Sequence, residues 1–302
     1  MVAALVVLGL LLPFIVYPVF LMKALCFALF ACAFNLLLGY AGILSFGHAA
    51  LFGGSAYVCA HAAKVWGFPT ELALIAGMMA GALMGMIYGV LAVRQRGIYL
   101  ALITFALAQM VYFIAVQAPF TGGEDGIQAI PRGRFLGMID LTPSLHMYYF
   151  VYGVFVLALL LIYRIIHSPF GQVLRAMRDN EQRTISLGYR TSYCKVMAFT
   201  ISGALSGLAG GLKTLVLGIA TLSDVYWHGN GEVIFMTLLG GLGTFTGPVV
   251  GAFLVIAIQN YLAQFGALVT IVQGLIFVVI VMLFRRGLVG ELGPLVSRLW
   301  RK

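Results

Sequence analysis

The sequence predicts an all-α integral membrane protein, a polytopic bundle of about 8–10 transmembrane helices with segments broken by glycine. Of its 302 residues, 62% are hydrophobic and 9% are charged, whereas soluble domains carry about 25% charged residues. Charged residues divide the chain into apolar runs of lengths that suit membrane crossings. No stretch is left for a soluble domain, so we expect a single transmembrane domain over residues 1–302.

The apolar runs differ in how many crossings they can hold. Three of them fit one crossing each: residues 72–93, 97–123 and 141–163. Residues 24–63 and 233–284 contain no Asp, Glu, Lys or Arg, and each run is too long for one helix, so the chain must turn back inside both. In the second run, three short crossings with breaks near 240–248 and 264–267 fit the length, as does one crossing with a re-entrant piece.

The first apolar run, residues 2–22, has no basic residue before it. A cleaved signal peptide begins with a charged region and continues into a short apolar stretch. We therefore expect this run to be retained as a helix, while the side of the membrane on which the chain starts stays open.

The net charge of +9 is distributed in a way that favours a membrane over nucleic acid as the partner. Six of the 18 basic residues lie within residues 164–195, and five lie within 285–302. Because basic residues in short loops mark the cytoplasmic side, we expect this loop and the C-terminus to be cytoplasmic. Segments 124–140 and 224–232 then lie on the outer side.

The cytoplasmic loop, about residues 167–195, has the pattern of a short amphipathic helix. Ser168 and Pro169 suit its N-cap and first position, and Gly188 can end it. Such a helix either rests on anionic headgroups or docks a soluble partner protein, and its mixed charges favour docking.

Glycine occurs in two kinds of pattern. Three sets recur every four residues and predict close helix packing: Gly77, Gly81, Gly85 and Gly89; Gly203, Gly207 and Gly211; Gly243, Gly247 and Gly251. Segments 39–54 and 240–248 are also glycine-rich but lack one helical period. Non-helical backbone at membrane depth is tolerated where it is buried in protein or lines a cavity, and two such segments indicate a transport route.

Polar side chains and glycines within or beside these segments are the candidate substrate pathway: Asn35, Gly42, Ser45, Gly47, His48, Gly243 and Thr244. His48 lies deep in an apolar run, where ionisable residues are candidates for function. A hydrogen bond from His48 to a neighbouring helix is the alternative, and the same bonding is expected for Asn35.

The predicted outer loop TGGEDG at 121–126 offers Thr121, Gly122, Gly123 and Asp125 as a capture surface for a binding protein or as a lip of the route. Gly-Gly and Asp-Gly pairs favour turns with positive φ, so a solvated turn is the alternative. The loop is too short for an EF-hand calcium site.

Several absent motifs argue against an enzyme. The sequence has no G-x-x-x-x-G-K-[ST], H-E-x-x-H, G-x-S-x-G or C-x-x-C motif, and its four cysteines lack metal-ligand spacing. We expect no metal site. Asp224 and Glu232 lie at the ends of apolar runs, so no carboxylate is expected at mid-membrane for proton coupling. Energy for transport must then come from elsewhere.

A set of motifs in order resembles the permeases of branched-chain amino-acid ABC importers, and their LivM-type subunit more than the LivH-type. The matching segments are residues 34–54, GIYLALIT at 97–104, TGGEDG at 121–126, RDNE at 178–181 with Leu187 and Gly188, SGALSGLAG at 202–210, GGLGT at 240–244 with Gly247 and Pro248, and FRRGLVG at 284–290.

This resemblance implies a multi-pass protein of the bacterial inner membrane, in contact with lipid, that moves substrate by alternating access. Its implied partners are a second related permease in a heterodimer, two cytoplasmic ATPases that bind ATP and Mg²⁺, and a periplasmic binding protein. No cofactor is expected in this chain. The implied ATPase-coupling residues are Arg175, Arg178, Asp179, Asn180, Glu181 and Gly188. A urea or short-amide permease of the same family and a passive channel are the alternatives.

Overall fold

The computed structural model describes residues 9–10, 12–14, 16–135, 137–262, 268–283 and 287–291. Most of these residues are helical, and a short antiparallel ladder pairs β1 (Arg134–Phe135) with β2 (Ile139–Asp140). In chain order the helices are α1 (Pro18–Asn35), α2 (His48–Lys64), α3 (Thr70–Ala92), α4 (Ile98–Gln117), α5 (Ser144–Ile166), α6 (Pro169–Asp179), α7 (Glu181–Ser186), α8 (Thr191–Leu217), α9 (His228–Gly240), α10 (Gly247–Leu262) and α11 (Leu268–Leu283). A π-helical turn, Leu36–Tyr40, extends α1.

Five of these helices are long and apolar enough to cross a membrane: α1 with its π turn, α3, α4, α5 and α8. The predicted single crossings at 72–93, 97–123 and 141–163 correspond to α3, α4 and α5. The expected all-α polytopic bundle is therefore confirmed.

Contacts between loops define two ends of the bundle. At one end, which we call the basic end, the Arg96 and Glu181 side chains form a salt bridge of 3.2 Å. At the opposite end, Lys64 Nζ donates a hydrogen bond to the carbonyl of Gln128, at 2.7 Å. Helices α2 and α3 are joined at this opposite end, since Thr70 also bonds to the loop of residues 118–142.

The two long charge-free runs fold back as predicted. In the first, α1 and α2 are separated by a non-helical segment, residues 42–47. In the second, α9, α10 and α11 follow one another, and the first break in that run is residues 241–246. The expected break near 264–267 lies outside the described residues.

Residues 2–22 do not form one helix over the part that is described. A 3₁₀ turn covers Leu12–Phe14, and α1 begins only at Pro18. Proline suits the first turn of a helix because it has no N–H to leave unpaired, and it disfavours helical conformation in the residue before it. Pro18 therefore starts a new helix where the apolar pattern alone predicted continuity.

Helices α1 and α8 form the centre of the bundle. Buried residues make up 83% of the apolar window of α1 and 72% of that of α8, against 33% for α3 and 28% for α4 and α5. The peripheral helices consequently leave broad apolar faces, with Met79, Phe113 and Leu157 among their exposed side chains.

Glycine allows α3 and α8 to approach backbone to backbone. A methyl group at Gly81 would overlap the carbonyl oxygen of Gly203, and one at Gly85 would overlap that of Phe199. In return, a methyl group at Gly203 would overlap the carbonyl of Gly81. The first two glycine sets are therefore packing contacts, as predicted.

Replacing Gly81 by Ala should weaken this contact. The added Cβ has no free space, and overpacking of this kind costs about 1–3 kcal/mol of unfolding free energy. Gly153→Ala in α5 is the matched control, because a Cβ there meets no atom within 4 Å. Thermal unfolding of the detergent-purified protein should show a lower midpoint for Gly81→Ala alone, and equal midpoints would contradict the packing interpretation.

Candidate functional site

Two non-helical segments meet at the basic end of the bundle, and we call residues 42–47 the first break and residues 241–246 the second break. Asn35, at the end of α1, binds the second break. Its Nδ2 donates to the carbonyl of Thr244 at 2.9 Å, and its Oδ1 accepts from the N–H of Gly243 at 3.0 Å. The predicted bonding role of Asn35 is confirmed, although its partner is a loop rather than a helix.

The first break is held by bonds from its own residues and from α4. Ser45 Oγ accepts from the N–H of Gly47 at 3.2 Å, and the N–H of Phe46 donates to Thr104 Oγ1 at 3.0 Å. Gly47 lies so close to α3 that a methyl group there would overlap the Tyr88 ring. Gly42 has φ +70°, which suits glycine.

His48 is fully buried and bonded to α8, as the structural alternative predicted. Its Nε2 lies 2.8 Å from Ser202 Oγ, and Ser202 donates its single hydrogen to the carbonyl of Ala33 at 2.6 Å. The imidazole must therefore donate from Nε2. Its Nδ1 then acts as an acceptor that lacks a hydrogen-bond partner within the described part of the chain.

The second break is closed by Thr244. Its Oγ1 donates to the carbonyl of Gly241 at 2.7 Å and accepts from the N–H of Gly247 at 3.1 Å, which caps the start of α10. The prediction that Gly243 shares a helical stripe with Gly247 and Gly251 is wrong. Gly243 lies before the helix with φ +70°, so the spacing of four arises partly in a loop.

Helix α6 lies against both breaks through one side chain. Arg178 Nη1 donates to the carbonyl of Gly39, in the π turn. The same side chain packs on Gly42 and Gly243, where a Cβ would approach its atoms to about 3 Å. One turn earlier, Arg175 bonds to the carbonyl of Ile166 at 3.3 Å. The guanidinium of Arg175 also lies 5.4 Å from the centre of the Tyr40 ring.

The predicted single amphipathic helix is instead two helices, α6 and α7. Ser168 caps α6 as expected, with Pro169 first. The chain becomes extended at Asn180, whose Oδ1 accepts from the N–H of Arg183 at 3.0 Å and so caps α7. Gly188, with φ +90°, follows the end of α7.

Glu181 binds the start of α7 to two other elements. Its carboxylate pairs with Lys195 of α8 at 2.6 Å and with Arg96, before α4, at 3.2 Å. A cavity of about 520 Å³ lies beside these pairs, between the first break and the start of α4, and Gly42, Arg178 and Glu181 contribute to its wall. Asp179, the remaining predicted coupling residue, is exposed.

At the opposite end, the TGGEDG loop is folded against the chain after α8. Thr121 is buried, and its hydroxyl lies 2.6 Å from the carbonyl of Ala115 and 2.7 Å from that of Ala118. Gly122 and Gly123 have positive φ, as the turn pattern predicted. Asp125 is exposed, so the loop presents an acidic surface.

Sequence reasoning missed a buried ion pair. Lys213 Nζ in α8 lies 2.6 Å from Asp224 Oδ2, and both side chains are less than a tenth exposed. The Asp224 carboxylate also accepts from the N–H and the hydroxyl of Thr221. Nearby, Glu232 accepts from Gln259 Nε2 at 3.1 Å. The available signal was Lys213, which lies within a part of α8, residues 196–217, that has no other charged residue.

Comparison with known proteins places these elements within one match. A family model described as the permease component of branched-chain amino acid transport systems covers residues 18–282, which include both breaks, α6 and α7. No solved structure matches the chain.

The chain is similar to several curated permeases. It is 26% identical over 284 residues to the high-affinity branched-chain amino acid transport system permease protein LivM of Escherichia coli K12, covering 86% of this chain and 67% of that protein. It is 28% identical over 197 residues to the ribose import permease protein RbsC of Bacillus subtilis, covering 60% of this chain and 58% of that protein. It is 27% identical over 201 residues to the autoinducer 2 import system permease protein LsrC of Salmonella choleraesuis, covering 65% of this chain and 56% of that protein.

Removing one member of the buried ion pair should destabilise the bundle. Lys213→Met leaves the Asp224 carboxylate without its cation, which costs about 3–5 kcal/mol for buried pairs. The double variant Lys213→Met/Asp224→Asn carries neither charge and should recover part of that loss. Thermal unfolding in detergent measures both, and a double variant no more stable than the single one would argue against the pair.

Proposed function

Because the chain belongs to the family of permease components of branched-chain amino acid transport systems, we propose that it is the membrane-spanning subunit of an ATP-driven importer of branched-chain amino acids. The similarity to LivM extends over more of this chain than the similarity to the ribose and autoinducer 2 permeases. That difference favours an amino acid over a sugar as the substrate.

The observation that carries the proposal is the contact of Arg178 with both breaks. Because Arg178 binds Gly39 and packs on Gly42 and Gly243, a displacement of α6 is transmitted to both the first and the second break. A helix that receives force from an ATPase must be linked in this way to segments that can change conformation. Alternating access then follows from movement of the breaks together with α6 and α7.

The proposed partners follow from the permease family to which the chain belongs. Without a P-loop in its sequence, the permease needs two ATPase subunits that bind ATP and Mg²⁺ and dock on α6 and α7. We assign the basic end and the C-terminus to the cytoplasm of a bacterium and the bundle to its inner membrane, because basic loops stay inside. A second, related permease completes the membrane part, and a periplasmic binding protein docks at the acidic loop of residues 121–126.

Helix α1 also receives a direction from this assignment. Lys23, near the start of α1, is close enough to Glu232, Lys213 and Asp224 to interact with their charges. The π turn at the end of α1 instead contacts Arg178 at the basic end. Helix α1 therefore runs from the periplasmic half of the bundle towards the cytoplasm.

Transport by the reconstituted complex tests the proposal. The permease, its partner permease and the ATPases are placed in liposomes containing ATP and Mg²⁺, and radiolabelled leucine is added outside with the binding protein. We expect uptake that requires ATP and is reduced by excess isoleucine or valine, but not by ribose or urea. Uptake without ATP would indicate a channel, and inhibition by ribose or urea alone would indicate the other substrates.

Arg178→Ala should uncouple hydrolysis from transport. The loss of one charged hydrogen bond, about 1.5–3 kcal/mol, should lower leucine uptake about tenfold or more while the complex still assembles and hydrolyses ATP. Arg164→Ala, which removes a basic residue at the end of α5 at the same end of the bundle, is the matched control. Uptake by Arg178→Ala at the control level would contradict the role of Arg178.

A further inference from the structure

The segment between α8 and α9, residues 218–227, descends into the bundle as irregular chain with one short 3₁₀ turn, Leu222–Asp224. The depth of this segment can be measured along α2, because Lys64, the last residue of α2, lies at the opposite end of the bundle. Gly53 packs against the main chain of Asp224, and eleven residues of helix from Lys64 correspond to about 16 Å. The N–H of Ala49 donates to Asn230 Oδ1 at 2.8 Å, about 22 Å from that end. Helix α9 therefore begins near the middle of a hydrocarbon core about 30 Å thick.

At that depth, several side chains at the junction of this segment with α9 are exposed. Tyr226 is 39% exposed and Trp227 is 46% exposed, and Ser223 and His228 are also exposed within the described part of the chain. Irregular backbone and polar side chains do not face lipid at mid-membrane, because unpaired polar groups cost several kcal/mol there. Water or another protein must therefore cover this surface.

Helix α4 continues the same surface. The rings of Tyr112 and Tyr226 lie 5.4 Å apart, centre to centre. Gln109, three residues earlier, adds an amide about 12 Å from the end of α4 at Gln117. An open groove of about 560 Å³ runs along α4 and is lined by residues of that helix, with the polar groups of Gln109 and Tyr112 beside the apolar side chains of Met110 and Phe113.

Two of the charges near this surface pair with each other, and Glu232 of α9 accepts a hydrogen bond from Gln259. Lys213 binds Asp224, and Asp224 also binds Thr221, so these groups hold the descending segment in place. The open surface instead offers aromatic rings, an amide, a hydroxyl and an imidazole. Rings suit an apolar side chain, and neutral polar groups suit the ammonium and carboxylate of a zwitterion, which carries no net charge.

We infer that Ser223, Tyr226, Trp227 and His228, with Gln109 and Tyr112 of α4, line the route and contact the amino acid as it crosses. This inference deepens the proposed function and rests on it. It adds a surface that the glycine patterns did not indicate, since the predicted pathway residues Ser45 and His48 are fully buried within this chain.

Cysteine labelling of the reconstituted complex tests the inference. Ser223→Cys and Trp227→Cys are made separately in a Cys194→Ser background, since the other three cysteines are buried. Met79→Cys is the control, because Met79 lies on the exposed apolar face of α3 about 14 Å from its start. A membrane-impermeant thiosulfonate reacts with thiolate in water, so the two test positions should be modified about tenfold faster than Met79→Cys.

Saturating leucine with its binding protein should slow the labelling of both positions. Labelling at the Met79→Cys rate, or labelling that leucine does not slow, would overturn the inference, and if leucine uptake continued the proposed function would stand. If the unmodified complex takes up no leucine, both fail. Ser223→Cys keeps the test valid if Trp227→Cys does not assemble, because Ser223 is small and exposed.

Discussion

The arrangement of this permease depends on one constraint: main-chain N–H and C=O groups inside a membrane need partners from the protein. In the two breaks, at the basic end, these main-chain groups have no helical hydrogen bonds. Asn35 hydrogen-bonds to the carbonyl of Thr244 and to the N–H of Gly243 in the second break. Arg178 donates to the carbonyl of Gly39 in the π turn beside the first break. Arg178 also packs on Gly42 and Gly243, so one side chain of α6 contacts both breaks.

The rest of the bundle gives this junction a firm support. Backbone contact between α3 and α8, made possible by paired glycines, leaves little room for sliding. The ion pair of Lys213 and Asp224 fixes the irregular segment that leads into α9. The molecule thus combines a tightly packed centre with non-helical chain at the basic end and at mid-depth, which is the combination that a gated route requires.

The sequence predicted the helical class, the single crossings and the two fold-back runs, because these depend on local composition. It also located the glycine-rich breaks. It did not predict that Asn35 bonds to residues more than 200 positions away, since pairing across a fold leaves no local pattern. The sequence also did not predict the break at Asn180. Asparagine occurs at helix caps and within helices, so its residue type alone does not show that α6 ends there and α7 begins. Asp224 was expected at the end of a run but lies about 16 Å from the opposite end, because the chain after α8 turns back into the bundle.

The central claim is that α6, α7 and the second break move as one body. Pulsed EPR can measure this in the reconstituted complex, with spin labels in pairs at Gln182→Cys on α7, Phe245→Cys in the second break and Glu124→Cys in the opposite-end loop. Between the nucleotide-free and ATP-bound states, the account predicts an unchanged distance from 182 to 245 and a changed distance from 245 to 124. A changed distance from 182 to 245, with the distance from 245 to 124 constant, would contradict it.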